Sequence, residues 1–99
     1  MTKKELELFE LVVLNKFTSV ADITQARIDF IKKLIRGKGS QVLGKNYGKK
    51  MLAYPIKGFT AANSLQFLFL GNNELVKQIN IELQRDEFTL RVLSRMVPC

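Results

Sequence analysis

The feature that most constrains this chain is a change of apolar period, from two to three-or-four and back, made twice between its ends. Phe9, Leu11 and Val13 alternate with Glu10, Val12 and Leu14, a run of large and β-branched residues that predicts a strand over 9–14. Both faces of that strand are largely apolar. This suits a central strand with one side against helices and the other weakly solvated or covered by a partner. Residues 15–19 break the alternation. Ile23, Ala26, Arg27, Phe30, Ile31 and Leu34 then recur at helical spacing and predict a helix over about 20–36. Lys32, Lys33 and Arg36 suit the negative pole of its dipole, and Gly37 is placed to take a left-handed cap.

A second strand is expected over 40–43, interrupted by Gly44-Lys45-Asn46-Tyr47-Gly48 as a bulge or tight turn, and resumed over 49–54. Pro55 and Gly58 read as its end, and turn-forming residues as far as Asn63 predict a hairpin with a long loop before a third strand at 65–70. Gly71-Asn72-Asn73 supplies an N-cap for a second amphipathic helix ending near Arg85, with Leu75, Val76, Ile79 and Leu83 on its apolar stripe. A last strand is expected over 88–97. The order βαββαβ predicts an α+β, ferredoxin-like fold: a four-stranded antiparallel sheet with two helices on one face. Ninety-nine residues support one core, so one domain is expected over 1–99.

Composition narrows the function. With 46% hydrophobic and 25% charged residues the chain is neither a disordered tail nor a disulfide scaffold. Histidine is absent and the single cysteine is Cys99, which argues against Ser-His-Asp triads, Cys-His dyads, CxxC redox motifs, His- or Cys-based metal sites and an internal disulfide. No enzyme activity and no cofactor or metal is expected. The longest apolar runs, 11–14 and 67–70, fall far short of the ~20 residues of a membrane span, and the N-terminus carries acidic residues without a signal-peptide pattern. A membrane partner is therefore not expected.

Charge points to a polyanion. Sixteen Lys and Arg against nine Asp and Glu give +7 and a pI near 9.8. Between Asp29 and Glu74 there is no acidic residue, while Lys32, Lys33, Arg36, Lys38, Lys45, Lys49, Lys50 and Lys57 all fall in that interval. One strongly positive face or edge is expected, with nucleic acid as its partner; a solvated surface kept for solubility is the alternative.

One block is specific. Tyr47-Gly48-Lys49-Lys50-Met51-Leu52-Ala53-Tyr54-Pro55-Ile56 closely resembles the aromatic-Gly-basic-basic-x-Leu-Ala-Tyr-x-Ile signature of the bacterial-type sixth protein of the small ribosomal subunit. Phe9-Glu10 is similar to the aromatic-Glu pair that opens that family's first strand. The stretch from Arg85-Asp86-Glu87-Phe88 through Thr89-Leu90-Arg91-Val92-Leu93 resembles its entry into the last strand. Members typically carry a Gly-aromatic-aromatic segment entering the third strand, whereas here Gly58-Phe59 is followed by Thr60-Ala61-Ala62-Asn63. The resemblance covers about 8–97. It implies a structural constituent of the small subunit, on its platform, whose partners are the central domain of small-subunit rRNA, the eighteenth small-subunit protein and other small-subunit proteins, with no small-molecule substrate. The excess of eleven lysines over five arginines suits an AT-rich or organellar source, so a mitochondrial ribosome is expected, with a bacterial cytoplasm or plastid as alternatives.

The residues expected to contact RNA are Lys32, Lys45, Lys49, Lys50, Arg91 and Arg95. Lys49 and Lys50 are successive strand positions and should point to opposite faces. Arg91 and Arg95, four apart, should share a face with Leu93 and Val97; Arg91 either meets RNA or pairs across strands with an acidic residue such as Glu10. Tyr54, Phe67 and Phe69 read as core aromatics rather than base-stacking ones. The segment 67–72 weakly resembles the shorter RRM motif but lies on the wrong strand. Acylphosphatase shares the element order, yet the loop 14–18 lacks its Gly and Arg, and Asp86-Glu87 reads as a solvated turn rather than an acid/base couple. A ligand sensor of the ACT type would need a Gly-rich loop near the first helix, which is absent. A stand-alone ferredoxin-like RNA-binding module is the remaining alternative.

Overall fold

The computed structural model describes residues 7–98; Cys99 and the first six residues lie outside it. Six elements follow in the expected order: β1 (Glu7–Lys16), α1 (Ala21–Gly37), β2 (Val42–Ile56), β3 (Phe59–Gly71), α2 (Asn73–Gln84) and β4 (Thr89–Met96). The strands form one antiparallel sheet in the order β2-β3-β1-β4, with β1 in the interior as its two apolar faces required.

Alternation along β1 divides the sheet into two sides. Phe9, Leu11 and Val13, with Leu65, Phe67 and Phe69 of β3 and Val42 of β2, meet Ile28, Ile31 and Ile35 of α1 and Val76, Ile79 and Leu83 of α2 in the main core. Fully burying each such side chain stabilises the fold by about 1.5–3 kcal/mol. The even-numbered positions of β1 and β3 face the other way, where no helix covers them. Part of that open side makes its own small core, Leu14, Ala62 and Leu90 packed with Val12, Leu52 and Ile56.

Four local expectations are corrected. The buried stripe of α1 is Thr24, Ile28, Ile31 and Ile35, while Ile23 and Phe30 remain about half exposed. Thr24 belongs to the stripe because its hydroxyl donates to Val20 O (3.4 Å) and accepts from Asn63 Nδ2 (3.4 Å), so a polar residue can sit inside. The left-handed residue after α1 is Gly39 (φ +93°), not Gly37, because the helix runs through Gly37 and is capped at Lys38. The β2–β3 connection is a tight turn of two residues, not a long loop: Ile56 pairs with Phe59, and Lys57 (φ +53°) and Gly58 (φ +85°) both take positive φ, as a type I′ turn requires. Consequently β3 begins at Phe59, and Gly58-Phe59 does enter the third strand directly. Pro55 does not end β2, because β2 is an edge strand and the ladder is already interrupted between Met51 and Ile56.

The expected N-cap of α2 is present, with Asn72 Oδ1 accepting from Leu75 N at 2.9 Å. The expected interruption of β2 is a bulge. Asn46 pairs with Leu65 and Gly48 with Ser64, leaving Tyr47 as the extra residue, and Gly48 (φ +84°) donates its N–H to Asn46 Oδ1 at 2.8 Å.

Candidate nucleic-acid interface

The bulge decides which lysines share a face. Lys45 lies opposite Gln66 and Lys50 opposite Ala62, both on the open side; Lys49 lies opposite Asn63, on the helix side. Without the extra residue, Lys45 and Lys49 would have been the matching pair. Lys49 and Lys50 thus do point to opposite faces.

On the open side a polar line crosses all four strands. Lys45 Nζ stands 5.0 Å from the Tyr47 ring, whose hydroxyl donates to Gln66 Oε1 at 2.7 Å. Gln66 Nε2 donates to Glu10 Oε2, and Arg95 Nε donates to Glu10 Oε1 at 2.6 Å. Glu10 is thereby claimed by Arg95, not by Arg91, so the cross-strand pair considered for Arg91 belongs to its neighbour. Arg95 still exposes two thirds of its side chain.

Arg91 and Lys50 flank a groove of about 310 Å³ on the same side, lined by Leu14, Leu52, Tyr54 and Leu93. Tyr54 is 81% exposed and so is not a core residue, because the irregular stretch of β2 turns Leu52 and Ile56 inward and leaves Tyr54 out. Phe67 and Phe69 are buried, as expected. Leu43, 73% exposed, and Leu93 add to the uncovered apolar surface. This side therefore combines aliphatic and aromatic area with three cations, Lys45, Lys50 and Arg91, that have no carboxylate partner among the described residues.

The remaining two expected residues lie elsewhere. Lys49 Nζ sits 5.0 Å from the Phe17 ring at one end of the helix side. Lys32, on α1, lays its stem over β2, where a Cβ added at Gly44 would stand 2.8 Å from Lys32 Cε. The six expected residues are thus not one patch. Four share the open side and two lie on the helix side.

A helix-side group at that end lies outside the six expected residues. Asn15 and Asn63 pair across β1 and β3, and both are buried. Asn63 Nδ2 donates to Thr18 O at 3.2 Å. Arg27 donates to Asn15 Oδ1 (Nε, 3.3 Å) and to Asp86 Oδ2, while Thr89 Oγ1 donates to Asp86 Oδ2 at 2.9 Å. Asp86 is accordingly a half-buried, ion-paired anchor rather than part of a solvated turn. The available signal was the alternation itself: extending Phe9, Leu11, Val13 by one step places Asn15 on the core side.

Among the described residues no helix is long and apolar enough to cross a membrane. No curated protein sequence matches the chain. The crystal structure of 30S ribosomal protein S6 from Thermotoga maritima is similar, with a TM-score of 0.83 over 94% of this chain and 89% of that one at 13% sequence identity, which shows a shared fold. The sequence profile of the family described as ribosomal protein S6, a family of ribosomal proteins and not of enzymes, matches residues 8–95, from the start of β1 almost to the end of β4. A match that takes in the basic bulge of β2, the polar line across the sheet and every element that builds them means that this chain belongs to the ribosomal protein S6 family.

Proposed function

We propose that this chain is a structural constituent of the small-subunit platform that binds the central domain of small-subunit rRNA jointly with the eighteenth small-subunit protein. The observation that carries the proposal is the uncovered side of the sheet. Its apolar members, Leu43, Tyr54 and Leu93, suit a protein partner, and Lys45, Lys50 and Arg91 beside them suit phosphates. Family membership supports the ribosomal setting. The compartment proposed is the mitochondrial ribosome, on the lysine-rich composition.

Binding of the purified chain to a central-domain rRNA fragment, measured with and without the eighteenth protein, tests the joint reading. The expected result is weak binding alone and tighter binding with the partner. Equal affinity in both would remove the partner from the proposal. Co-sedimentation of the tagged chain with small subunits from mitochondria, bacterial cytoplasm and plastids separates the compartments.

A further inference from the structure

At the end of the helix side, beside the start of α1, lies a cavity of about 270 Å³ with an open mouth, separate from the open side of the sheet. Its walls include the rings of Phe17, Phe59 and Phe88, and its floor includes Asn15 and Asn63. For comparison, an apolar cavity of about 150 Å³ is enough to admit benzene. The polar groups of the floor are not neutral in what they ask for. Asn15 is only 3% exposed, its Oδ1 is committed to Arg27 Nε, and its Nδ2 is buried without a partner. Because the arginine can only donate, the amide orientation is set, and what remains free is a donor. An unmade bond of that kind is costly, and a ligand presenting an acceptor to it would recover that cost.

The rim adds charge. Lys16 Nζ lies 5.3 Å from the Phe59 ring and 5.8 Å from the Phe88 ring, and Lys49 Nζ lies 5.0 Å from the Phe17 ring. Neither lysine has an acidic partner among the described residues, whereas Arg27 is neutralised by Asp86. A ligand suited to all three features has a flat π-face for the rings, an acceptor on its edge for Asn15 Nδ2, and an anionic group outside for the lysines.

We infer that this cavity binds one unstacked nucleobase, with its flanking phosphate at Lys16 and Lys49. Aromatic side chains are a general platform for single-stranded bases, and a base edge offers ring nitrogens and carbonyls as acceptors. For the base to come from rRNA the inference rests on the function proposed above; for the existence of the site it does not.

The test titrates the isotope-labelled chain with the four nucleoside 5′-monophosphates, with single-stranded tetranucleotides, and with inorganic phosphate, following the Asn15 side-chain amide and the Phe17, Phe59 and Phe88 rings by NMR. Expected are shifts confined to these groups with at least one nucleotide and none with phosphate alone. Phe17→Ala, at a ring already 39% exposed between β1 and α1, should weaken binding about five-fold or more while leaving the fold intact. Asn15→Asp keeps the acceptor for Arg27 and replaces the free donor by an acceptor, so it should abolish the site; spectra of both variants report whether they remain folded. Tighter binding of a tetranucleotide than of its monophosphate assigns the base to RNA, and the reverse assigns it to a free nucleotide; either supports the site. The open-side variant Lys45→Ala/Lys50→Ala/Arg91→Ala should bind monophosphates as the parent does, so that failure of the rRNA reading is distinguishable from failure of this one. Shifts equal with inorganic phosphate, no shifts with any nucleotide, or unchanged affinity in a folded Phe17→Ala protein would overturn the inference.

Discussion

Single residues in this protein act through what they leave their neighbours to do. Arg27 and Asp86 are each about 15% exposed, and Asp86 also accepts from the buried Thr89 hydroxyl, so together they join α1 to the corner between α2 and β4. Removing one partner strands the other. Asp86→Ala should cost about 2 kcal/mol in urea unfolding, because a half-buried guanidinium loses its counter-ion and a buried hydroxyl its acceptor. The double variant Arg27→Met/Asp86→Ala should cost less than the sum of the two single changes, since it leaves no unpaired cation. A loss below about 0.5 kcal/mol for Asp86→Ala would place the pair among exposed surface bridges instead. None of this was legible from Asp86-Glu87 as an adjacent pair. The partner lies 59 positions away, and no local pattern announces an ion pair closed by topology.

Elements were legible where periodicity or capping chemistry is local, and misread where turn residues compete. The stripe of α2 and its Asn72 cap follow from sequence spacing alone. Between β2 and β3, Pro55, Gly58 and Asn63 all carry turn propensity, yet only Lys57-Gly58 turns, because Asn63 faces inward from β3 to bind Thr18 and Thr24. The face of each lysine in β2 was legible only in part, for the same reason that register depends on single insertions: the extra Tyr47 exchanges the two faces for everything after it. The turn gives a direct test. Lys57 occupies a positive-φ position that Asn tolerates better, so Lys57→Asn should raise stability by about 0.5 kcal/mol, although it gives up the 3.4 Å contact from Lys57 Nζ to Thr89 O. Gly58→Ala should lower it by about 1 kcal/mol. Thermal unfolding of the two variants checks both signs, and a stabilising Gly58→Ala would contradict the type I′ assignment.

For the molecule as a whole, function depends on a sheet that is covered by helices on one side only. The helix side carries the main core, shared by the β-strands and both helices, and the open side, apart from its small core around Leu14, Ala62 and Leu90, carries cations and apolar groups that the fold does not consume. Binding and folding should therefore separate under mutation, and Lys45→Ala/Lys50→Ala/Arg91→Ala is the variant that separates them. None of the three side chains has a carboxylate partner among the described residues, and exposed substitutions of this kind usually shift stability by no more than about 0.5 kcal/mol each. Lys45 does give up its place over the Tyr47 ring, worth about 0.5–1 kcal/mol at an exposed site, so a modest loss is expected from that change alone. In binding, each cation that meets a phosphate releases a counterion, and on single-stranded RNA each contributes roughly −0.7 to the slope of log affinity against log salt. Losing three should flatten that slope by about two, with the largest loss of affinity at low salt and little at high salt. Lys49→Ala serves as the internal contrast: because it lies on the helix side, it should leave the open-side contacts in place and flatten the slope by no more than about 0.7, the share of one phosphate beside the Phe17 cavity. If the triple variant keeps the parent's salt slope while Lys49→Ala flattens it, the phosphates meet the helix side, and the open side is left to the protein partner alone.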